Sequence, residues 1–586
     1  MSRSSASESD PLRSRLSVLT RPGPALLIVT AAALLARFWA LGWRIFHQDE
    51  GRVAGWILHY MRTGSWEYNA IIHGPFIPRV NGLLFSWFGP SDFLARFPVA
   101  VVGGLLPLVA WLLRDRLRDS EVVALGVVLA ANPILLYYSR FMRNDVLLAG
   151  FMLFAVAFAV RAVDADRPEL VVASLFCFGL GFTTKENALV YPIAWAGALA
   201  LTLDARLVLS VARGGDWVAT LADLLPDPRD RRTRRFGAAG LVGVLVAVAI
   251  YFIFYVPLPL ESPSAALESA TTGVYDELQT WLSGDLQSHA YPPYFVYFGK
   301  LLAYTSLPLT AFAAVGFVVD RYAGVTARDV VSFHFFWGLF SLFGYPLIVD
   351  ISGAAWNGVH IVAPLAVPAA VGLALVWRMG RNAFHADDNA GAVAAAVLLL
   401  LAAGTTGAVA ADTSYLRPQS PDTGPYGEKG IMIQYAQPAG EMQPALRGIS
   451  RSAPENEGTD VLYYGELFDS KGYGETWAAG GNPPPGWFDR LPLPWYTGRM
   501  DAETNSTPEA SVACETNAPV VIALERYAHG SPNHAAEEID DCLRDAGYRE
   551  VVYQQYQSSR PLHFFLAPGV APDVEGINAS DDSPPA

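Results

Sequence analysis

Lysine and cysteine are both scarce in this chain of 586 residues. Lysine occurs only at Lys185, Lys300, Lys429 and Lys471. A basic patch of the kind that holds nucleic acid is missing, so nucleic acid is not expected as a partner. Cysteine occurs three times. Cys177 lies in a hydrophobic run and is expected in a core. Cys514 and Cys542 lie near the C-terminus, where a disulfide and two free thiols are both open. Charged residues make up 16% of the chain against 52% hydrophobic ones, a balance that excludes a single soluble domain of this length. There is no internal repeat and no pair of broken helices in matching halves, which argues against a secondary transporter. No small-residue cleavage site follows the first apolar run, so that run is expected to stay as a span rather than leave as a signal peptide.

What the chain has instead is a series of apolar runs of about 18–25 residues, each able to cross a hydrocarbon core of roughly 30 Å. Eleven spans are expected, at 24–43, 94–113, 121–138, 146–163, 170–184, 188–204, 237–256, 295–319, 330–349, 358–377 and 390–410. Basic residues alternate between the loops. Arg114, Arg116 and Arg118, the arginines of 205–236, and Arg321, Arg328, Arg378 and Arg381 fall on one side, whereas the loop from Pro257 to Pro293 has no lysine or arginine. The positive-inside rule therefore puts the N-terminus in the cytoplasm and the first loop and the C-terminal part outside. The expected organisation is a cytoplasmic tail 1–23, an α-helical polytopic membrane domain 24–410 with an outer loop 44–93, an extracytoplasmic α/β domain 411–570, and a disordered tail 571–586.

The formal net charge is −14, and from Ala411 onward about 26 acids face about 11 bases. An acidic, lysine-poor exterior stays soluble where salt screens heavily, and suggests a halophilic source. In the α/β domain, 461–465, 519–524, 550–556 and 563–567 are expected as strands and 534–546 as a helix. Residues 480–487, with three consecutive prolines, are expected as a loop. Two sequons, at Asn505 and Asn578, fall in this part.

Four polar clusters interrupt the apolar pattern near the outer side. The first is HQDEG, His47 to Gly51, at the head of an amphipathic stretch in which Val53, Trp56, Ile57, Tyr60 and Met61 share one face. Asp49 there fits a helix cap as well as a reactive carboxylate. The second is HGPF, His73 to Phe76. The third is SRFMRND, with Arg140, Arg143 and Asp145. The fourth is TTKEN, with Lys185 and Glu186. Ionisable groups at such depth are costly unless paired or functional, and the basic ones oppose the positive-inside rule. Basic residues kept there suit an anionic lipid headgroup: arginine grips phosphate in bidentate fashion and lysine as a point charge. A facing carboxylate can take the proton of an attacking hydroxyl while cations stabilise a phosphate leaving group. His47, His289 and His360 are expected to be structural.

The order of these clusters resembles the GT-C superfamily of lipid-phosphosugar glycosyltransferases, in its protein O-mannosyltransferase and aminoarabinose-transferase branch. YPPYFVYFGKLL (Tyr291 to Leu302) and HIVAPLAVP (His360 to Pro368) follow in the same order. HGPF, SRFMRND and TKEN look like the archaeal flippase-activity-associated family linked to N-glycosylation. The resemblance covers roughly 25–410. It implies Asp49 as the catalytic outer-loop aspartate, with Glu50 beside it, and Asp145 as the second acidic position. Arg140, Arg143, Lys185, Glu186 and His73 are the implied substrate-binding residues. The aminoarabinose transferases carry a phosphate-binding lysine in the region where this chain has His73 and Gly74.

The resemblance thus implies sugar transfer from a polyprenyl-phosphate donor to a glycan or protein acceptor at the outer face. The alternative is a non-catalytic partner of a flippase that binds the lipid-linked sugar. Asp49, Glu50 and Asp145 leave a divalent cation, Mg²⁺ or Mn²⁺, open as a cofactor.

Overall fold

The computed structural model of this chain describes residues 22–571 except 213, 217, 219–226, 261, 265–266, 269–270, 272–274, 276–289, 324–326, 349–352, 419–429, 434–436, 439, 474–480, 525, 529–530, 534, 554 and 557–560. Almost all of the N-terminal tail, His289, the Asn578 sequon and residues 572–586 lie outside the described residues.

The chain is a multi-pass membrane protein with a helical bundle and a small sheet domain. The expected apolar runs are largely helical, but among the described residues helices of crossing length do not reach the expected count of eleven spans. Among the described residues, seven helices are long and apolar enough to cross a membrane: Asp92–Leu112, Asn144–Asp164, Arg231–Tyr255, Tyr291–Ala323, Asp329–Leu347, Ala355–His385 and Asn389–Leu416. Pro22–Phe38 and Glu169–Phe182 are shorter apolar helices. The third expected run divides at Asn132 into Asp119–Ala131 and Pro133–Tyr138. Proline offers no amide hydrogen and disfavours the helical conformation of the residue before it, and the Asn132 side chain caps the new start by accepting from the Leu135 amide at 3.1 Å. Its Nδ2 donates at 2.9 Å to Ser306 Oγ, where the Tyr291–Val318 helix is itself kinked at φ −139° two residues before Pro308. Two proline-associated breaks thus satisfy each other.

Burial separates centre from periphery. In Ala355–His385, 83% of the apolar stretch is buried, against 6% in Asn389–Leu416 and 11% in Arg231–Tyr255. The central helix meets Tyr291–Val318 at glycines, because a Cβ on Gly316 would fall 2.0 Å from the Pro368 carbonyl oxygen and one on Gly372 2.2 Å from that of Phe312. Small residues allow this backbone approach where no hydrophobic effect drives helices together. At the end of the bundle that carries the basic loops, the buried Glu121 pairs with Arg328 at 2.5 Å and Arg378 at 3.2 Å.

The C-terminal domain has a five-stranded sheet of β1 (Val461–Tyr464), β2 (Thr504–Thr507), β3 (Val520–Leu524), β4 (Arg549–Tyr553) and β5 (Leu562–Leu566), in the order β2-β1-β3-β5-β4. β1 pairs in parallel with β2 and β3, and β5 pairs antiparallel with β3 and β4. Alternation along β1 sends Leu462 and Tyr464 to one face, where Ile539 and Leu543 of helix Ala535–Asp545 cover them. Val461 and Tyr463 go to the other face, whose core is continuous with Trp487, Trp495 and the bundle. Cys514 and Cys542 form a disulfide. The four expected strands and the helix are present within a residue or two, with the far end of 550–556 set off as a separate short strand, Gln555–Tyr556, that pairs antiparallel with Gln437–Pro438. The edge strand β2 was not expected. It holds the Asn505 sequon, whose polar residues read as loop.

Candidate functional site

The helix Gln48–Thr63, in the first loop, begins with a reciprocal cap. His47 Nδ1 accepts from the Asp49 amide at 3.1 Å, and Glu50 Oε2 accepts from the His47 amide at 3.0 Å. Both carboxylates thus sit in the first turn, where the helix dipole favours negative charge. Successive helical residues point about 100° apart, and the two acids separate accordingly.

Glu50 turns inward and is 0% exposed. Arg96 Nε and Nη2 donate to its two oxygens at 2.7 and 2.8 Å, Arg44 Nη2 lies at 3.4 Å, and the Met142 amide donates at 2.8 Å. This carboxylate bolts the first loop to the SRFMRND turn. Burial alone would raise its pKa, but the Arg96 and Arg44 guanidinium groups bring it down to about 2.

Asp49 turns away from that bolt and is partly exposed, its side chain at 30%. Arg143 Nη1 donates to Oδ2, and Arg52 Nη2 lies 3.0 Å from Oδ1. Burial opposes the charge, yet Arg52, Arg143 and His47 together hold this carboxyl well below the usual carboxylate range. Arg143 Nε is also 3.6 Å from Asp145 Oδ2, and its guanidinium lies 4.0 Å over the Trp356 ring. Asp145 opens the helix Asn144–Asp164. It receives Lys185 Nζ at 2.9 Å, and His360 Nε2 stands at 3.4 Å. His360 in turn meets the Tyr191 hydroxyl through Nδ1 and stacks flat on Tyr345 at 4.5 Å.

The result is an alternating row, Arg52–Asp49–Arg143–Asp145–Lys185, drawn from three separate stretches of chain. Asp145, Arg143 and Lys185 side chains are 2%, 8% and 7% exposed against 30% for Asp49 and 22% for Arg52, so the Asp49–Arg52 end of the row is the accessible one. Three cations against two carboxylates leave an excess positive charge. A row of this kind can take up an anion at the cations and still keep a carboxylate accessible.

Four of the expected site residues stand outside this row. Arg140 donates to the carbonyls of Ala36, Arg37 and Trp39 at 3.0, 3.1 and 2.7 Å. It closes the C-terminal end of helix Pro22–Phe38, where a guanidinium complements the dipole. Glu50 is the bolt described above. His73 Nδ1 lies 3.1 Å from Glu186 Oε2, and the Tyr68 hydroxyl donates to Glu186 Oε1 at 3.2 Å. HGPF and TTKEN are halves of one joint: the Gly74 amide donates to the Thr184 carbonyl at 3.1 Å and the Phe76 amide to that of Thr183 at 2.9 Å. His73 adopts φ +62° to make the turn, and a Cβ on Gly74 would fall 2.4 Å from the Thr183 oxygen. The joint sends Glu186 to the loop and leaves Lys185 pointing at Asp145.

Sequence reasoning did not single out Arg52, Trp356, His360 or Arg96 for the site. Arg52 carried a signal, since it lies three residues after Asp49 on one helix and such pairs are neighbours. Arg96 carried none, because it sits inside an apolar run. Among the described residues no group of three or more His, Cys, Asp or Glu converges as a metal-ligand set. Asp49, Glu50 and Asp145 each already hold basic partners, so these carboxylates do not fit a shared divalent ion.

The C-terminal domain reaches the same loop. Asp92 accepts from Trp495 Nε1 at 2.8 Å, the Tyr496 hydroxyl at 3.3 Å and Arg499 Nη1 at 2.6 Å. Tyr496 Oη also accepts from the Phe46 amide at 2.8 Å, and Trp495 stacks on Phe46 at 5.0 Å. Gly51 admits Pro492, from which a Cβ would be 2.6 Å away.

Comparison with known proteins gives two partial family matches. Residues 442–567 match the Agl23 flippase-associated protein C-terminal domain, and residues 72–222 match Dolichyl-phosphate-mannose-protein mannosyltransferase. No curated protein matches the chain. Among solved structures it is similar to ArnT from Cupriavidus metallidurans in the apo state, at 15% identity and TM-score 0.52 over 92% of this chain and 97% of that one. It is similar also to ArnT bound to undecaprenyl phosphate, at 16% identity and TM-score 0.50 over the same shares. The likeness to ArnT is one of fold.

Proposed function

We propose that this chain is a membrane glycosyltransferase that uses a polyprenyl-phosphate-linked sugar at the outer membrane face. The observation that carries the reading is the alternating row, with its exposed Asp49 and its surplus of cations. An undecaprenyl phosphate bound to a protein of the same fold supports a lipid phosphate as the anion.

In this reading the donor phosphate engages Arg143, with Arg52 or Lys185 beside it. The acceptor hydroxyl attacks the anomeric carbon of the sugar, and the bond from that carbon to the phosphate oxygen breaks. The electron pair of that bond leaves with the polyprenyl phosphate, whose charge the cations stabilise. Asp49 takes the hydroxyl proton. A carboxylate held so far below the usual range is a poor base. A phosphate that draws Arg143 away removes one of its neutralising partners, raises its pKa and makes it a better one. The base is thereby strengthened only when donor is present. Asp145, tied to Lys185 and His360, is a positioning residue for the two cations. The carboxylates' basic partners support a metal-independent route, so transfer persists in excess EDTA. A transfer rate that EDTA abolishes and Mg²⁺ or Mn²⁺ restores would contradict this.

The disulfide supports an outer, oxidising location for the C-terminal domain, with the N-terminus in the cytoplasm. The acidic excess of that domain fits a salty exterior.

The test is glycan extension in cells and in reconstituted vesicles with Asp49→Asn. Loss of extension at normal protein level, with donor-lipid binding kept, supports transfer. Unchanged glycans favour the second reading, a lipid-linked-sugar-binding partner of a flippase, for which the match of residues 442–567 speaks.

A further inference from the structure

A cavity of about 560 Å³ lies between the helix Gln48–Thr63 and the C-terminal domain, apart from the alternating row. That volume falls within the roughly 300–1,000 Å³ typical of small-ligand sites. Its buried lining includes His59, Tyr463, Trp487, Arg490 and Thr497, and its rim carries the exposed Arg62 and Glu503. The cavity begins at Gly55, six residues beyond Asp49. On a helix that is about 9 Å along the axis and roughly 240° around it, so the two sites use different faces.

The chemistry of the lining narrows the ligand. Trp487 offers aromatic surface that packs against C–H groups, while the Tyr463 ring is covered by the Arg490 guanidinium at 4.5 Å. Burial and the Arg62 charge lower the His59 pKa to about 4, so at neutral pH its imidazole is an uncharged donor and acceptor. Arg62 and Glu503 set opposite charges on one rim, which disfavours a polyanion and a polycation alike. Arg490 and Thr497 are already bonded to the Phe468 and Leu493 carbonyls, and it is the polar Arg62, Thr63 and Glu503 that disfavour a hydrocarbon chain. A molecule with apolar C–H faces alternating with hydroxyls satisfies every part of this lining.

We propose that the cavity binds a neutral saccharide unit of a glycan, as a second point of attachment remote from Asp49. The inference deepens the transferase reading by giving its acceptor or donor glycan a distal handle. Binding there does not require that transfer occurs.

The experiment uses the full chain in detergent micelles against an immobilised array of neutral hexose di- to tetrasaccharides. The wild type retains at least one member. Thr504→Trp, which fills the mouth beside Glu503, weakens retention about tenfold, as does Arg62→Ala, whose folding is checked by melting temperature because Arg62 also bonds the Gly498 carbonyl. Asp49→Asn leaves it unchanged. Retention of no saccharide by the wild type overturns the proposal. Equal retention by wild type and a folded Thr504→Trp also overturns it, and Arg62→Ala decides the case if Thr504→Trp does not fold. Saccharide retention together with unimpaired transfer by Asp49→Asn would sink the catalytic reading and leave the cavity standing.

Discussion

Glu50 and Arg96 form a bidentate ion pair in which neither side chain is exposed to solvent, one residue along from an aspartate whose side chain is 30% exposed. Adjacent carboxylates of the same loop thereby serve different ends. Glu50 fixes where the helix begins, and Asp49 stays accessible.

Replacement of the two therefore has opposite signatures. Glu50→Ala leaves Arg96 buried without its partner, which costs on the order of 3–5 kcal/mol. The expected result is a sharp drop in melting temperature and folded yield in detergent. Asp49→Asn keeps the melting temperature and loses transfer. The Glu50 contribution also has a sign in pH. Its folded pKa, about 2, is below the value near 4.3 of a free glutamate. The stabilisation is full above that value and disappears as pH falls toward the folded one. A Glu50→Ala protein as stable as wild type at pH 7 would refute the assignment.

The pH dependence of transfer separates free and donor-bound protein. Asp49 is held below the carboxylate range by Arg52 and Arg143, so the acid limb of kcat/KM falls below about pH 4. With Arg143 engaged by donor phosphate the carboxyl pKa rises, and the acid limb of kcat stands at higher pH. Arg143→Gln raises the limb of kcat/KM itself by about one pH unit or more. Coincident limbs in wild type and variant would exclude Arg143 as the shared partner.

Gly74→Ala tests the joint between HGPF and TTKEN. A Cβ there strikes backbone rather than a flexible side chain, at a cost of about 1–3 kcal/mol. The expected readout is a lower melting temperature and a raised KM for donor, because Lys185 is displaced from Asp145. Gly299→Ala, where a Cβ meets nothing within 4 Å, is the control and leaves both unchanged. Equal behaviour of the two variants would show that the joint is dispensable.

Tyr496→Phe removes the hydroxyl that joins Asp92 to the Phe46 amide. Each hydrogen bond contributes about 1 kcal/mol, so the fold survives. Hydrogen exchange at residues 46–52 is expected to quicken by about tenfold, and kcat to fall with the pH profile unchanged. Exchange that stays slow at 46–52 would mean the C-terminal domain does not order the loop.

Much of this was legible in the amino-acid sequence, for reasons particular residues make plain. Apolar runs announce helices because the bilayer tolerates little else, and the runs are helical here save where Pro133 divides the third. Asp145 and Lys185 stood out because charges within such runs need partners, and they are each other's. The division of labour between Asp49 and Glu50 was hidden, since it depends on Arg96, a residue 46 positions away inside an apolar run. Arg140 had the charge and depth of a phosphate ligand, but three backbone carbonyls of the first helix already claim it. The strand Thr504–Thr507 has no apolar alternation because it lies at the sheet edge. Only its register with Val461–Tyr464 defines it.

The Phe46 amide waits for a hydroxyl 450 residues downstream. During synthesis the first loop is made long before Tyr496. Until the last part of the chain has been made and docked, the loop lacks the hydrogen bond that Tyr496 gives it. A chain without Tyr496 would leave the Phe46 amide without that hydroxyl. The order of manufacture thus sets when the loop is fastened, with the last domain made closing on the first loop made.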